Sequence, residues 1–212
     1  GALAAASETR QETRSFSTQY SRAWGDRSNP FLRYTVGGIT AAYRRNVSNT
    51  TSPNAVADAL NSTVDVGYGI APRSLLALRI PGTRSRLYLL PERIYWNYTS
   101  SQSESRTFQR TPDGGLVPSN SSQGRTAFVN FGGDFRPVDM FHQHFEGVRN
   151  LTLGDQLNEK IGSINIGRVV NGRQNMDARY AIDLELWLSP SSSWSSLYSQ
   201  DNRPELSPDL SV

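Results

Sequence analysis

Two histidines flank one glutamine, His142-Gln143-His144, and Asp134, Asp139 and Glu146 lie close in sequence. On a strand, residues two apart point to the same side, so this pair could share a metal. The chain has only these two histidines and no cysteine. A carboxylate would have to complete any site, and neither thiolate ligation nor a disulfide framework is available. No bound metal and no cofactor are expected. The serines lack a G-x-S-x-G elbow. Gly37-Gly38, Gly114-Gly115 and Gly132-Gly133 lack the flanking residues of a phosphate-cradling loop. Asp183 and Glu185 fall two apart and could pair for acid–base work, although a solvated sheet face explains them as well. No catalytic residue is assigned, and an enzyme is not expected.

A second constellation is aromatic and basic. Arg84, Arg86 and Arg93 surround Tyr88, and Tyr95, Trp96 and Tyr98 follow at once. Arginine, tyrosine and tryptophan are the types enriched at interaction hot spots. Lys160 is the only lysine, so 21 of the 22 basic residues are arginine, whose planar fork suits carboxylates, sulfates and phosphates. Arg84, Arg86, Arg93, Tyr95, Trp96 and Tyr98 are therefore the candidate receptor-binding residues, with a protein or an acidic glycan as partner. The net charge is +3, but Arg44-Arg45 is the only adjacent basic pair, so nucleic acid is not expected.

These residues must be held by strands. Period-2 alternation recurs at Leu32–Val36, Val64–Ile70, Ala127–Phe131 and Ile161–Val170, and most clearly at Tyr180–Leu188. Turn pairs such as Pro81-Gly82 and Pro112-Asp113 punctuate the runs. Helix signals are few. Ser52-Pro53 reads as a cap before Ala55–Leu60, and Leu153–Lys160 reads as a second short helix. The expected fold is all-β, an antiparallel β-sandwich of jelly-roll or Greek-key type with one or two short helices. Residues 1–30 read as an extended lead-in, 31–190 as the sandwich, and 191–212 as a Ser/Pro-rich segment punctuated by Pro204 and Pro208. The polar stretch 99–125 reads as a projecting loop and a second candidate for binding. Six N-x-[ST] triplets, at Asn46, Asn49, Asn61, Asn97, Asn120 and Asn150, read as polar surface loops.

At 212 residues, 36% apolar and 19% charged, with a mean hydropathy of −0.52, the chain is long enough for one core. No apolar run reaches eighteen residues, so no membrane insertion is expected, and no charged-then-apolar leader stands at the start.

A cysteine-free β domain of this size, rich in Ser, Thr, Asn and Gly, resembles the head domains of adenovirus fibres, and also capsid spike domains. The Thr-Leu-Trp-Thr opening of many fibre heads is missing, so the resemblance points to a divergent, avian-like head or to another spike. It implies a virion-surface attachment domain that binds a host-cell receptor and assembles as a homo-oligomer, trimer before dimer. The strand Tyr180–Leu188 with Pro190 is also similar to the last strand of jelly-roll capsid shells. That leaves a self-assembling shell protein as the alternative, and a cellular lectin or hydrolase as a further one.

Overall fold

The computed structural model describes residues 8–22, 24, 28–72, 76–81, 86–154, 159–161, 164–181 and 189–203. The fold is all-β and antiparallel, as expected: 77% of the described residues are in strands, with almost no helix. The strands are β1 (Arg10–Ser21), β2 (Ile39–Thr51), β3 (Ala55–Ile70), β4 (Ala77–Arg79), β5 (Arg86–Tyr88), β6 (Arg93–Arg110), β7 (Leu116–Val138), β8 (Phe141–Thr152), β9 (Glu159–Ile161), β10 (Ile164–Ala181) and β11 (Ser191–Asp201). The helix is α1 (Pro30–Thr35).

Eight strands form one sheet in the order β1-β2-β3-β6-β7-β8-β10-β11, with β9 beside β10, while β4 and β5 form a small second sheet. Each long strand pairs with its neighbours along the chain, an up-and-down meander. β3, β6 and β7 are long, at 16, 18 and 23 residues. Among the described residues β1 and β11 each pair on one side only.

Several local readings change. Ala55–Leu60 is strand, not helix. Ser52 closes a hairpin: its hydroxyl donates to the Ala55 carbonyl at 3.0 Å and accepts from the Ala55 amide at 3.1 Å. Val56 and Leu60 then continue the alternation of Val64 and Val66, and pairing on both sides outweighs the alanines' helix propensity. Leu32–Val36 is mostly helix: Pro30 opens α1, and the Val36 and Gly37 amides both bond back to the Leu32 carbonyl. The polar stretch 99–125 is no loop. It forms the β6–β7 hairpin, and only residues 111–115 turn. Serine and threonine fill β6 because β3 and β7 satisfy its backbone on both sides, while residues 116–125 of β7 pair with β6 alone. Asn46, Asn49, Asn61, Asn97, Asn120 and Asn150 likewise sit on strands. Arg10–Ser21 and Ser191–Asp201 belong to the large sheet. Of the second helix, Leu153 and Gly154 bend, Glu159–Ile161 is strand, and 155–158 lie outside the described residues. So do 182–188 of the Tyr180–Leu188 run, with Asp183 and Glu185; β10 reaches Ala181.

Burial is sparse. Ala127 and Leu153 are the buried hydrophobic residues among those described. The accessible surface is 15852 Å², against about 9,800 Å² for a compact monomer of this mass. Most of the molecule is therefore one layer of sheet with two open faces.

Candidate functional site

Outside the bulges at Val169–Asn171, Phe135–Val138 and the far end of β6–β7, register assigns the residues of the large sheet to a face. One face carries Phe16 and Tyr20 of β1, Ile39, Ala41 and Tyr43 of β2, and Val64, Val66, Tyr68 and Ile70 of β3. Ile94, Trp96 and Tyr98 of β6 and Ala127, Val129 and Phe131 of β7 follow. Phe145 of β8, Met176, Ala178 and Tyr180 of β10, and Trp194 and Tyr198 of β11 complete it. The other face reads Gln11, Thr13, Ser15, Ser17 and Gln19 on β1. On β6 it reads Asn97, Thr99, Ser101, Ser103, Ser105, Thr107 and Gln109. Phe128, Val148 and Leu197 are exceptions on this polar face.

The apolar residues form a continuous band near one end of the strands. Val64 to Ile70 covers about 20 Å at ~3.3 Å per residue. The band crosses the ladder obliquely. On β2 and β3 it includes the row Tyr43–Val64. On β10 it begins at Met176, in the row of Phe145, Gly133, Ile94 and Ile70, and continues to Tyr180. An oblique band becomes a level belt when the strands tilt. Several of its rings are uncovered, with Trp96 40% exposed, Phe145 40% and Trp194 53%, while Tyr43, Tyr68, Tyr98 and Phe131 are half-buried. Several pack on one another or on glycine. Trp96 and Tyr98 stack at 6.1 Å, Phe16 meets Tyr43 at 6.3 Å, and the Phe131 ring lies where a Cβ on Gly147 would stand. A ring laid over a strand glycine covers backbone that lacks a side chain.

The polar face is knitted by side-chain bonds across strands. The Thr99 hydroxyl donates to Asp65 at 2.8 Å, and the Asn150 amide donates to the Asn171 side-chain oxygen at 2.6 Å. His142 and His144 share this face on β8. His144 Nδ1 lies 2.8 Å from Asp134 and its Nε2 3.9 Å from Glu146, while His142 Nε2 is 3.7 Å from Asp134. The bond to Asp134 raises the His144 pKa above its ordinary value, with Asp177 and Glu146 adding to the effect against partial burial. Tyr95 lies across Gly132, its hydroxyl 2.5 Å from where a Cβ would stand. Burial, then the charge of Glu146, pushes its phenol up, and Arg93 over the ring at 5.0 Å pulls the other way. This cluster can hold and exchange protons. No group of three or more metal-ligating side chains gathers among the described residues.

No protein-family model matches the chain, and no curated protein matches it significantly. The site therefore rests on geometry alone.

The sequence-derived binding cluster divides between surfaces. Arg93 and Tyr95 stand on the polar face, opposite Asp134 and Gly132 respectively. Trp96 and Tyr98 stand in the apolar band. Arg86 is exposed on β5, in the small sheet, and Arg84 lies outside the described residues. The band as a whole escaped sequence reading. Its signal was present: each long strand alternates apolar with polar residues over part of its length. The outermost strands and β6 are so rich in serine that they read as tail and loop.

Proposed function

We propose that the chain is a wall segment of a membrane-spanning β-barrel, with the apolar face toward lipid and the polar face toward an aqueous interior. One observation carries this reading: a continuous oblique apolar band crosses all eight strands of a single-layer sheet whose other face is polar. Only closed barrels and helices satisfy every backbone group in lipid. Barrel strands alternate apolar-out and polar-in around a belt of roughly 25 Å with aromatic residues at its margins. About 9–11 residues suffice to cross. β3, β6 and β7 exceed that, so their polar hairpins project beyond the belt. The polar face is lined mainly by Ser, Thr, Asn and Gly. Such small side chains do not fill a narrow eight-stranded interior, which favours a wider barrel. Unpaired edges in lipid are costly, so β1 and β11 pair with further strands in this reading.

The reading reverses the expectation of no membrane insertion. That expectation rested on the lack of a long apolar run, a criterion for helices. No helix among the described residues is long and apolar enough to cross a membrane, and this says nothing of strands.

A receptor-binding viral head is the second reading, favoured by the polar hairpin tips at 52–54 and 111–115. There the apolar face is covered by sister subunits of a homo-oligomer, trimer first. Fluorescence separates the two. A variant keeping only Trp96 (Trp24, Trp187 and Trp194→Phe) is refolded with lipid bearing nitroxides on the acyl chains. Quenching by that lipid and protection from aqueous acrylamide is the expected result. A detergent-free soluble oligomer whose Trp96 ignores the lipid label supports the viral head and ends the barrel reading.

A further inference from the structure

The apolar face carries a second feature, on the side of the band nearer the hairpin tips. Arg14 of β1, Arg45 of β2, Arg106 of β6, Arg125 of β7 and Arg149 of β8 all stand on this face. Arg45 and Arg125 fall in one ladder row, through Ser62 and Gln102. Arg149 stands four residues nearer the other end, in the row of Tyr98 and Val129. The band on β8 has moved the same way, to Phe145. The basic border thus slants with the belt that it edges.

All five arginines are exposed. Arg14 pairs with Glu12, and Arg106 with Glu104, each at 2.5 Å. Arg45, Arg125 and Arg149 have no carboxylate partner among the described residues, and Arg149 lies over the Phe131 ring at 5.8 Å. A shallow groove across β3 joins this border to apolar surface, with Val47 and Leu60 between Arg45 and Arg106; Asp58 and Glu104 also line it, so the unpaired charge of the border lies at Arg45, Arg125 and Arg149. Guanidinium groups bind phosphate through paired N–H donors. An arginine at the edge of a lipid-facing surface stands at headgroup depth.

We infer that this arginine border binds the phosphates of anionic lipids around the belt; the inference rests on the barrel-wall reading. Soluble polyanions share the charge but have no acyl chain to lie on Val47 and Leu60. The test is the association of spin-labelled lipids with the refolded protein, comparing phosphatidylglycerol with phosphatidylcholine. The expected result is a motionally restricted lipid shell that prefers phosphatidylglycerol, with a preference that shrinks as salt rises. Each neutralisation among Arg45→Gln, Arg125→Gln and Arg149→Gln should lower that preference about fivefold at most. Arg173→Gln, on the polar face, should leave it unchanged. A restricted shell without headgroup preference overturns the arginine border and leaves the barrel intact. Loss of preference in Arg173→Gln as well overturns it too, because net charge then explains the effect. Absence of any restricted lipid overturns both readings. If the variants fail to fold, the unmodified protein decides: a preference insensitive to salt overturns the inference.

Discussion

Ile94, Trp96 and Tyr98 alternate along β6 with Tyr95, Asn97 and Thr99. The two sets share one backbone and one ladder, yet their surroundings differ. The polar set finds partners within the sheet, as Thr99 does at Asp65, or Tyr95 beneath Arg93. In the apolar set Trp96 and Tyr98 stack on each other, and Ile94 and Trp96 remain exposed while Tyr98 is half-buried. The polar face bonds within itself, whereas much of the apolar face is left uncovered by the sheet. Exposed apolar patches beyond a few hundred Å² mark a membrane or an interface. The difference between faces, more than any single residue, argues for a membrane wall.

The largest expected effect comes from moving a charge onto the wrong face. Val66→Arg, in the belt, should destabilise the lipid-embedded protein by about 2–4 kcal/mol. Asn61→Arg, on the polar face of the same strand, should change stability by less than about 0.5 kcal/mol. Denaturant titration in lipid vesicles measures both, and equal costs would break the comparison. A smaller effect lies within the apolar face. Gly147→Ala places a methyl group into the Phe131 ring and should cost roughly 1–3 kcal/mol. Gly172→Ala meets its nearest atoms at 3.4 Å and 3.5 Å, ordinary contact, and should be close to neutral. Similar costs at both glycines would mean that the ring does not seal the strand.

The all-β class was legible because alternation survives in most strands, and Val64–Ile70 and Ala127–Phe131 fall where the sequence places them. Helix at Ser52–Leu60 was misread because serine and proline serve equally as a helix cap or as a hairpin turn. Pairing with β2 and β6, which no local window contains, decides between them. The polar length of β6 and β7 was illegible for a related reason. Strands that are polar on both faces beyond the belt gain their order from neighbours, not from hydrophobic pattern. The candidate site was half legible. His142 and His144 do share a face, but Arg93 and Tyr95 were grouped with Trp96 and Tyr98 by nearness in sequence. In a strand, nearness by one residue means opposite sides.

The smallest effect tests the polar face itself, through proton linkage at His144. Asp134 accepts its hydrogen bond and raises its pKa, so the protonated imidazole is favoured in the folded sheet. The resulting stability is fully present below the unfolded-state pKa of about 6.5. It fades as pH rises through the higher folded-state value, because the neutral ring then loses the charge-assisted bond. Asp134→Asn should remove most of this dependence, leaving the smaller part that Asp177 and Glu146 contribute. His142→Gln should alter it less, since His142 stands 3.7 Å from the same carboxylate, beyond hydrogen-bond reach. The two faces would report differently on pH: guanidinium binding of phosphate does not depend on an imidazole, so lipid preference should not follow this titration. Nuclear magnetic resonance of the His144 ring, with melting curves across neutral pH, checks the assignment. A His144 pKa at or below the ordinary value would show that Asp134 does not hold the ring, and the cross-strand bonding ascribed to the polar face would lose its best-defined member.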